Sequence, residues 1–274
     1  MLLHFYKMTG AGNDFIMVDN RDLGLSSVLD KETIEALCDR RFGIGADGLI
    51  AVEPSQGKGG AVRMRYYNAD GGEAEMCGNG ARCFGNFATA LLRHDKSAPL
   101  PFETMAGIVT ASFEKNGHVT VNLTDPHSLQ LFALNADPTV GADVHFLNTG
   151  VPHAVAFLDK LDGLDIPRLG AYLRYHDAFS PKGTNANFAR ILSPGHIAIR
   201  TYERGVENET LACGTGMTAS ALLHAVLTDA PSPIQVDVAG GDTLEVGFRR
   251  MGDHFTHVTL TGPADLVFTG DIEL

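Results

Sequence analysis

The sequence predicts an α+β fold made of two similar halves, and two observations predict it. Most periodic segments read as short strands joined by glycine or polar turns, with few helical stretches, which is not the pattern of alternating parallel βα units. The chain also repeats itself. "EMCGNGARC" (75–83) and "LACGTGMTAS" (211–220) each carry Cys-Gly-x-Gly, with Cys77 and Cys213 separated by 136 positions in a chain of 274. Downstream, "VNLTDP" (121–126) resembles "VTLTGP" (258–263) at an offset of 137, and a two-strand pattern precedes each. Three features in one order at nearly one offset indicate an internal repeat.

In the first half, "HFYKMTGAGNDFIMVDN" reads as strand, turn, strand. "DKETIEALCDRR" reads as a helix with Asp30 as N-cap, its apolar residues Ile34, Leu37 and Cys38 at helical spacing. "AVRMRYYNADG" is a strand entering a turn. "GARCFGNFATALLRH" is a helix with Phe84, Phe87, Ala88, Leu91 and Leu92 on its apolar face. "GIVTASFEKNGHVTVNL" is a hairpin whose turn is Asn116-Gly117. In the second half, "DVHFLNTGVPHAVAFL" contains two strands, "HIAIRTYERG" is a strand and "GMTASALLHAVLTD" a helix. "GDTLEVGFRRMGDHFTHVTL" is the matching hairpin, turning at Met251-Gly252-Asp253. The repeat sets an N-terminal domain at 1–122 and a C-terminal domain at 123–263. The last segment, 264–274, lies beyond the second repeat and is expected to complete the first domain.

Composition narrows the function. A net charge of −12 argues against a nucleic-acid backbone or an anionic membrane as partner. The N-terminal "MLLHFYKMTG" has no export-signal pattern and no stretch reaches membrane-span length, so a cytoplasmic protein is expected. Four cysteines in a long chain of this kind do not suggest a disulfide framework, and no C-x2-C or H-x3-H spacing suggests a metal. Cys38 and Cys83 read as small buried hydrophobes. Neither Gly-x-Gly is followed by the Lys-Ser/Thr of a phosphate loop, and "GAGNDF" is followed by strand-like "FIMV" instead of a helix.

In both repeats the cysteine precedes a helix. Unpaired N–H groups and the positive dipole end meet there, which stabilises a thiolate and attracts a carboxylate. For an amino acid bound by its carboxylate, one sulfur would take the α-proton as thiolate. The other would return a proton, as thiol, to the opposite face. A single base would return it to the side it left.

These residues resemble the diaminopimelate epimerase family over essentially the whole length. The matching blocks are "KMTGAGNDF" (7–15), "RRFGIGADG" (40–48), "NADGGEAEMCGNGARC" (68–83), "GVPHAV" (150–155), "TNANF" (184–188) and "YERGVENETLACGTG" (202–216). The resemblance implies two pseudo-symmetric domains, each a strand-rich barrel-like sheet around a central helix, with the active site between them. It implies epimerisation of LL-2,6-diaminopimelate to the meso form, in lysine and peptidoglycan precursor biosynthesis, with no cofactor and Cys77 and Cys213 as the acid/base pair. Gly78, Asn79, Gly214 and Thr215 would hold the α-carboxylate. Asn13, Asn68, Asn185, Glu203 and Arg204 would recognise the rest of the substrate, with His153 in support. A homodimer is expected from the frequency of such assemblies. Two departures matter: Val151 stands where many members have a substrate-contacting asparagine, and Gly48 where some have glutamine. A proline or hydroxyproline racemase, or a thiol-bearing binding protein, are the competing readings.

Overall fold

The computed structural model describes all 274 residues. The chain divides into two compact units, Met1–Asn122 with Thr261–Leu274, and Leu123–Leu260. The α+β expectation holds, with eighteen strands and four α-helices.

In the first unit, strand Leu2–Gly10 pairs antiparallel with Asn13–Asp19 on one side and with the chain's last strand, Asp265–Glu273, on the other. Asn13–Asp19 runs parallel to Gly48–Pro54, a crossover that carries helix α1 (Lys31–Cys38). Asp30 caps α1 by accepting from Thr33 N. Gly48–Pro54 continues antiparallel to Val62–Asn68, and Leu100–Thr104, Gly107–Phe113 and Val119–Asn122 follow as a meander. The helix α2 (Gly78–Leu92) packs against strands from nearly all of this sheet. The sheet is therefore covered on both faces. Ile34, Leu37 and Cys38 of α1 pack with Ile16, Val18, Leu49 and Ala51 in one cluster. Continuous apolar runs such as "FIMV" are what a strand buried on both faces requires. Contact on the α2 side is close: a Cβ at Gly85 would stand 2.5 Å from the Ala111 side chain, and the Phe84 and Phe102 ring centres lie 4.6 Å apart.

The second unit repeats that order. Ala142–Asn148 and Pro152–Phe157 form an antiparallel pair, and a helical crossover leads to a parallel strand, Asn185–Ser193. His196–Glu203 pairs antiparallel with it and parallel with Ile234–Asp237, which meets Thr243–Met251. The crossover helix, α3 (Ile166–Arg174), was not expected from the sequence. Its signals were present: Asp165 caps it, Pro167 occupies the first turn, and Ile166, Leu169, Gly170 and Leu173 form its buried face. Helix α4 (Gly214–Thr228) packs on the strands of this unit as α2 does in the first. A further strand, His127–Asp137, pairs irregularly with Ala142–Asn148. No helix is long and apolar enough to cross a membrane.

Candidate active site

Cys77 and Cys213 occupy the same local position in the two units. Each is the N-cap of a 15-residue helix with an extended backbone, φ −132° at Cys77 and −126° at Cys213. Each also closes the first helical turn with its carbonyl, which accepts from Ala81 N at 2.7 Å and from Met217 N at 2.8 Å. The first N–H groups of a helix have no intrahelical acceptor, so Gly78, Asn79, Gly214 and Thr215 present donors at the end where the thiols sit. The Cys77 sulfur lies 3.5 Å from Gly80 N, and the Cys213 sulfur 3.6 Å from the Thr215 hydroxyl. None of the four cysteines is in a disulfide. Burial pushes Cys38 up to about 11 and Cys83 up to about 12, so neither is a base near neutral pH.

Around Cys77 the polar side chains bind one another. The buried Asn79 donates from Nδ2 to Asn13 Oδ1 at 2.7 Å and accepts from Arg82 at 2.9 Å. Asn13 in turn donates to Asp47 at 2.8 Å. Arg40 bridges Asp47 and Asp14, each at 2.7 Å, and Lys7 joins Asp14 at 2.7 Å. Burial opposes ionisation of Asp14, but the bonds from Arg40 and Lys7 outweigh it and hold its carboxyl below the ordinary value. Asn68 ends its strand at the neighbouring turn, where Ala69 N donates to Asp47 O. The side chain of Asn79 is thus engaged within the protein. The Gly48 position is closed to a side chain, because a Cβ there would overlap the Tyr67 carbonyl.

Around Cys213 a second network forms. Asn187, fully buried, donates to His153 Nδ1 and to Ala154 O, each at 3.1 Å, and accepts from the Thr201 hydroxyl at 3.0 Å. Its Oδ1 lies against Gly216, where any Cβ would overlap it. His153 is also fully buried; Nδ1 accepts, so the neutral ring carries its proton on Nε2, which has no partner. Asn185 donates to Pro152 O at 3.0 Å and accepts from Arg204 N at 2.8 Å, holding the loop that carries Arg204. Glu203 accepts from the Thr210 hydroxyl at 3.0 Å. Asn187 and Asp47 were not singled out from the sequence, although both lie inside blocks that carry the resemblance. No group of three or more His, Cys, Asp or Glu side chains is placed to hold a metal ion.

Burial, helped by the Arg204 charge, pushes His153 down to about 3, so the fold requires the neutral ring. The unfolded chain takes up this proton below its ordinary value of 6.5, whereas the folded chain does not. Stability from this group is therefore complete above pH 6.5 and is lost as pH falls toward 3. At roughly 1.4 kcal/mol per pH unit, about 3 kcal/mol is lost by pH 4. Urea titrations at stepped pH are expected to show a shallower loss between pH 6.5 and 4 for His153→Gln than for the wild type. Equal slopes would remove His153 as the cause.

The site's sequence blocks have relatives throughout. The family model described as diaminopimelate epimerase matches residues 5–129 and 145–267. The diaminopimelate epimerase of Flavobacterium psychrophilum is 42% identical over 268 residues, covering 97% of this chain and 98% of that protein. That of Chlorobaculum tepidum is 44% identical over 269 residues, covering 97% and 100%. Among solved structures, a phenazine biosynthesis protein of the PhzF family from Bacillus anthracis matches with a TM-score of 0.71 at 16% identity, covering 100% of both chains. A hydroxyproline epimerase from Agrobacterium vitis matches with a TM-score of 0.70 at 17% identity, covering 99% of this chain and 91% of its own. These two share the fold, whereas the closer relatives and the family model reach across both repeats and both cysteine turns: the chain belongs to the diaminopimelate epimerase family.

Proposed function

We infer that this chain epimerises LL-2,6-diaminopimelate to the meso form by moving a proton between two thiols, without a cofactor. The family carries the reaction. The observation that carries the mechanism is the matched position of Cys77 and Cys213, each an N-cap on a glycine-flanked helix start. An α-proton beside a carboxylate is a weak acid, and its removal puts charge on the carboxylate. Helix N-terminal donors stabilise that charge as it builds. One cysteine acts as thiolate base and the other as thiol acid on opposite faces of the α-carbon, which inverts the centre. In the reverse direction the roles exchange. The backbone N–H groups of Gly78, Asn79, Gly214 and Thr215 hold the reacting carboxylate. Asn13, Asn68, Glu203 and Arg204 recognise the other amino-acid end, the guanidinium gripping its carboxylate. Asn185 recognises that end as well, and His153 supports the turn from behind. The same reading has the enzyme acting in the cytoplasm as a homodimer, the commonest closed assembly.

Incubation of LL-diaminopimelate with the reduced enzyme in heavy water is expected to give meso product with deuterium at one α-carbon. Prior dialysis against a chelator is expected to leave the rate unchanged. Inversion without solvent deuterium, or a rate that collapses on chelation, would overturn the two-thiol route. Inversion of proline in preference to diaminopimelate would instead favour the racemase reading.

A further inference from the structure

A cavity of about 440 Å³ in the second unit lies beside Arg204 and is also lined by Lys182, Gly183, Asn148, Gly150 and Gln130. Its charges are unbalanced. Arg174, the nearby third cation, is neutralised by Glu207 at 3.1 Å, whereas neither Arg204 nor Lys182 has a carboxylate partner. The backbone of Lys182 is fixed in place: its carbonyl accepts from Arg174 at 3.3 Å and from Arg204 at 3.4 Å. Gly183 follows at φ +65°, where a Cβ would overlap the Arg174 guanidinium. The Lys182 side chain is exposed, a mobile point charge on a four-carbon stem attached at a defined place on the rim. Val151, on the neighbouring turn, has no side-chain donor to contribute.

Two unneutralised cations on one cavity, whose remaining wall includes the apolar Phe146, Pro152 and Phe179, select an anion. We propose that Lys182 works with Arg204 to seat the carboxylate at the non-reacting end of the substrate, making Lys182 a specificity-determining residue in this chain. The proposal rests on the function inferred above. Arg204 supplies a planar fork and Lys182 a movable ammonium that follows the carboxylate as it enters. The Lys182 contribution is partly solvated and weakens with salt.

Lys182→Ala is expected to raise KM for LL-diaminopimelate about tenfold, with the loss falling on KM far more than on kcat. Lys182→Arg is expected to restore most of the loss, and Lys182→Glu to deepen it. The wild-type KM is expected to rise with ionic strength more steeply than that of Lys182→Ala. An unchanged KM in Lys182→Ala, at wild-type melting temperature, overturns the seat and leaves the epimerase reading standing. Equal KM increases in the Ala and Arg variants assign the effect to packing and also overturn it. A wild-type chain that turns over no diaminopimelate overturns both the seat and the function it rests on.

Discussion

Serine in place of Cys77 or Cys213 is expected to lower the epimerisation rate about 10³-fold or more while the protein stays folded. Rate and stability measured together separate a catalytic thiol from a structural one. Both cysteines are helix N-caps, and serine is a better N-cap than cysteine, since its oxygen is the stronger acceptor for the first-turn N–H groups. The Cys77 sulfur already accepts from Gly80 N, at 3.5 Å, and a serine oxygen serves the same role. If capping were the purpose of these residues, each serine variant would keep its activity and gain stability. A hydroxyl is far too weak an acid to be ionised near neutral pH, so proton removal fails even where the cap is perfect. Melting temperatures at or above wild type, together with lost turnover by chiral chromatography of the product, are the expected pair of results. Turnover within about tenfold of wild type in either variant would remove that cysteine from the mechanism. Cys83→Ser is the control: it lies wholly inside α2's buried face, so its cost falls on stability, with the chemistry left intact.

Gly216→Ala is expected to destabilise the protein by about 3 kcal/mol and to lower kcat/KM about 10²-fold. In most helix positions alanine is the better residue. Here the added methyl overlaps Asn187 Oδ1 and stands 3.3 Å from the Cys213 sulfur. Asn187 cannot yield, because it is fully buried and its amide is committed to His153, Ala154 and Thr201. Either those bonds break or the helix start moves, and moving it displaces the Cys213 thiol. The matched glycine of the first repeat behaves differently. At Gly80 the nearest atom to a Cβ is Ile50 Cδ1, at 3.0 Å, the terminal methyl of a side chain that need give by only a few tenths of an ångström. Gly80→Ala is therefore the milder change, and guanidinium melts with steady-state rates on both variants check the contrast. A Gly216→Ala protein as stable and active as Gly80→Ala would show that Asn187 does not fix the turn. Partial recovery in Gly216→Ala combined with Asn187→Ser would place the cost in that one overlap.

Much of the architecture was legible because it is written in local patterns. The α1 cap at Asp30, the hairpin at Asn116-Gly117 and the apolar face of α2 follow from propensity and period alone. Helix α3 escaped because it is short and amphipathic over little more than two turns, a pattern that a strand-rich neighbourhood obscures. The site was legible to a different degree. The resemblance has Asn79 meet the α-carboxylate and Asn185 the rest of the substrate. The structure has Asn79's amide bonded to Asn13 and Arg82, and Asn185's to Pro152 and Arg204. Asparagine types in a motif do not reveal which partner claims them.

The sequence by itself determined that the chain is a duplication, that each copy has a cysteine at a glycine-flanked helix start, and that Cys38 and Cys83 are packing residues. Repeat spacing, helix period and cap chemistry act over a few residues and can be read along the chain. Only the tertiary structure decided that Asn187 locks Gly216 and His153 behind the Cys213 turn, that Asp47 and Arg40 hold Asn13, and that Lys182 shares a cavity with Arg204. Those are contacts between residues distant in sequence, and their strength comes from burial, which removes competing water and leaves each donor one acceptor to satisfy.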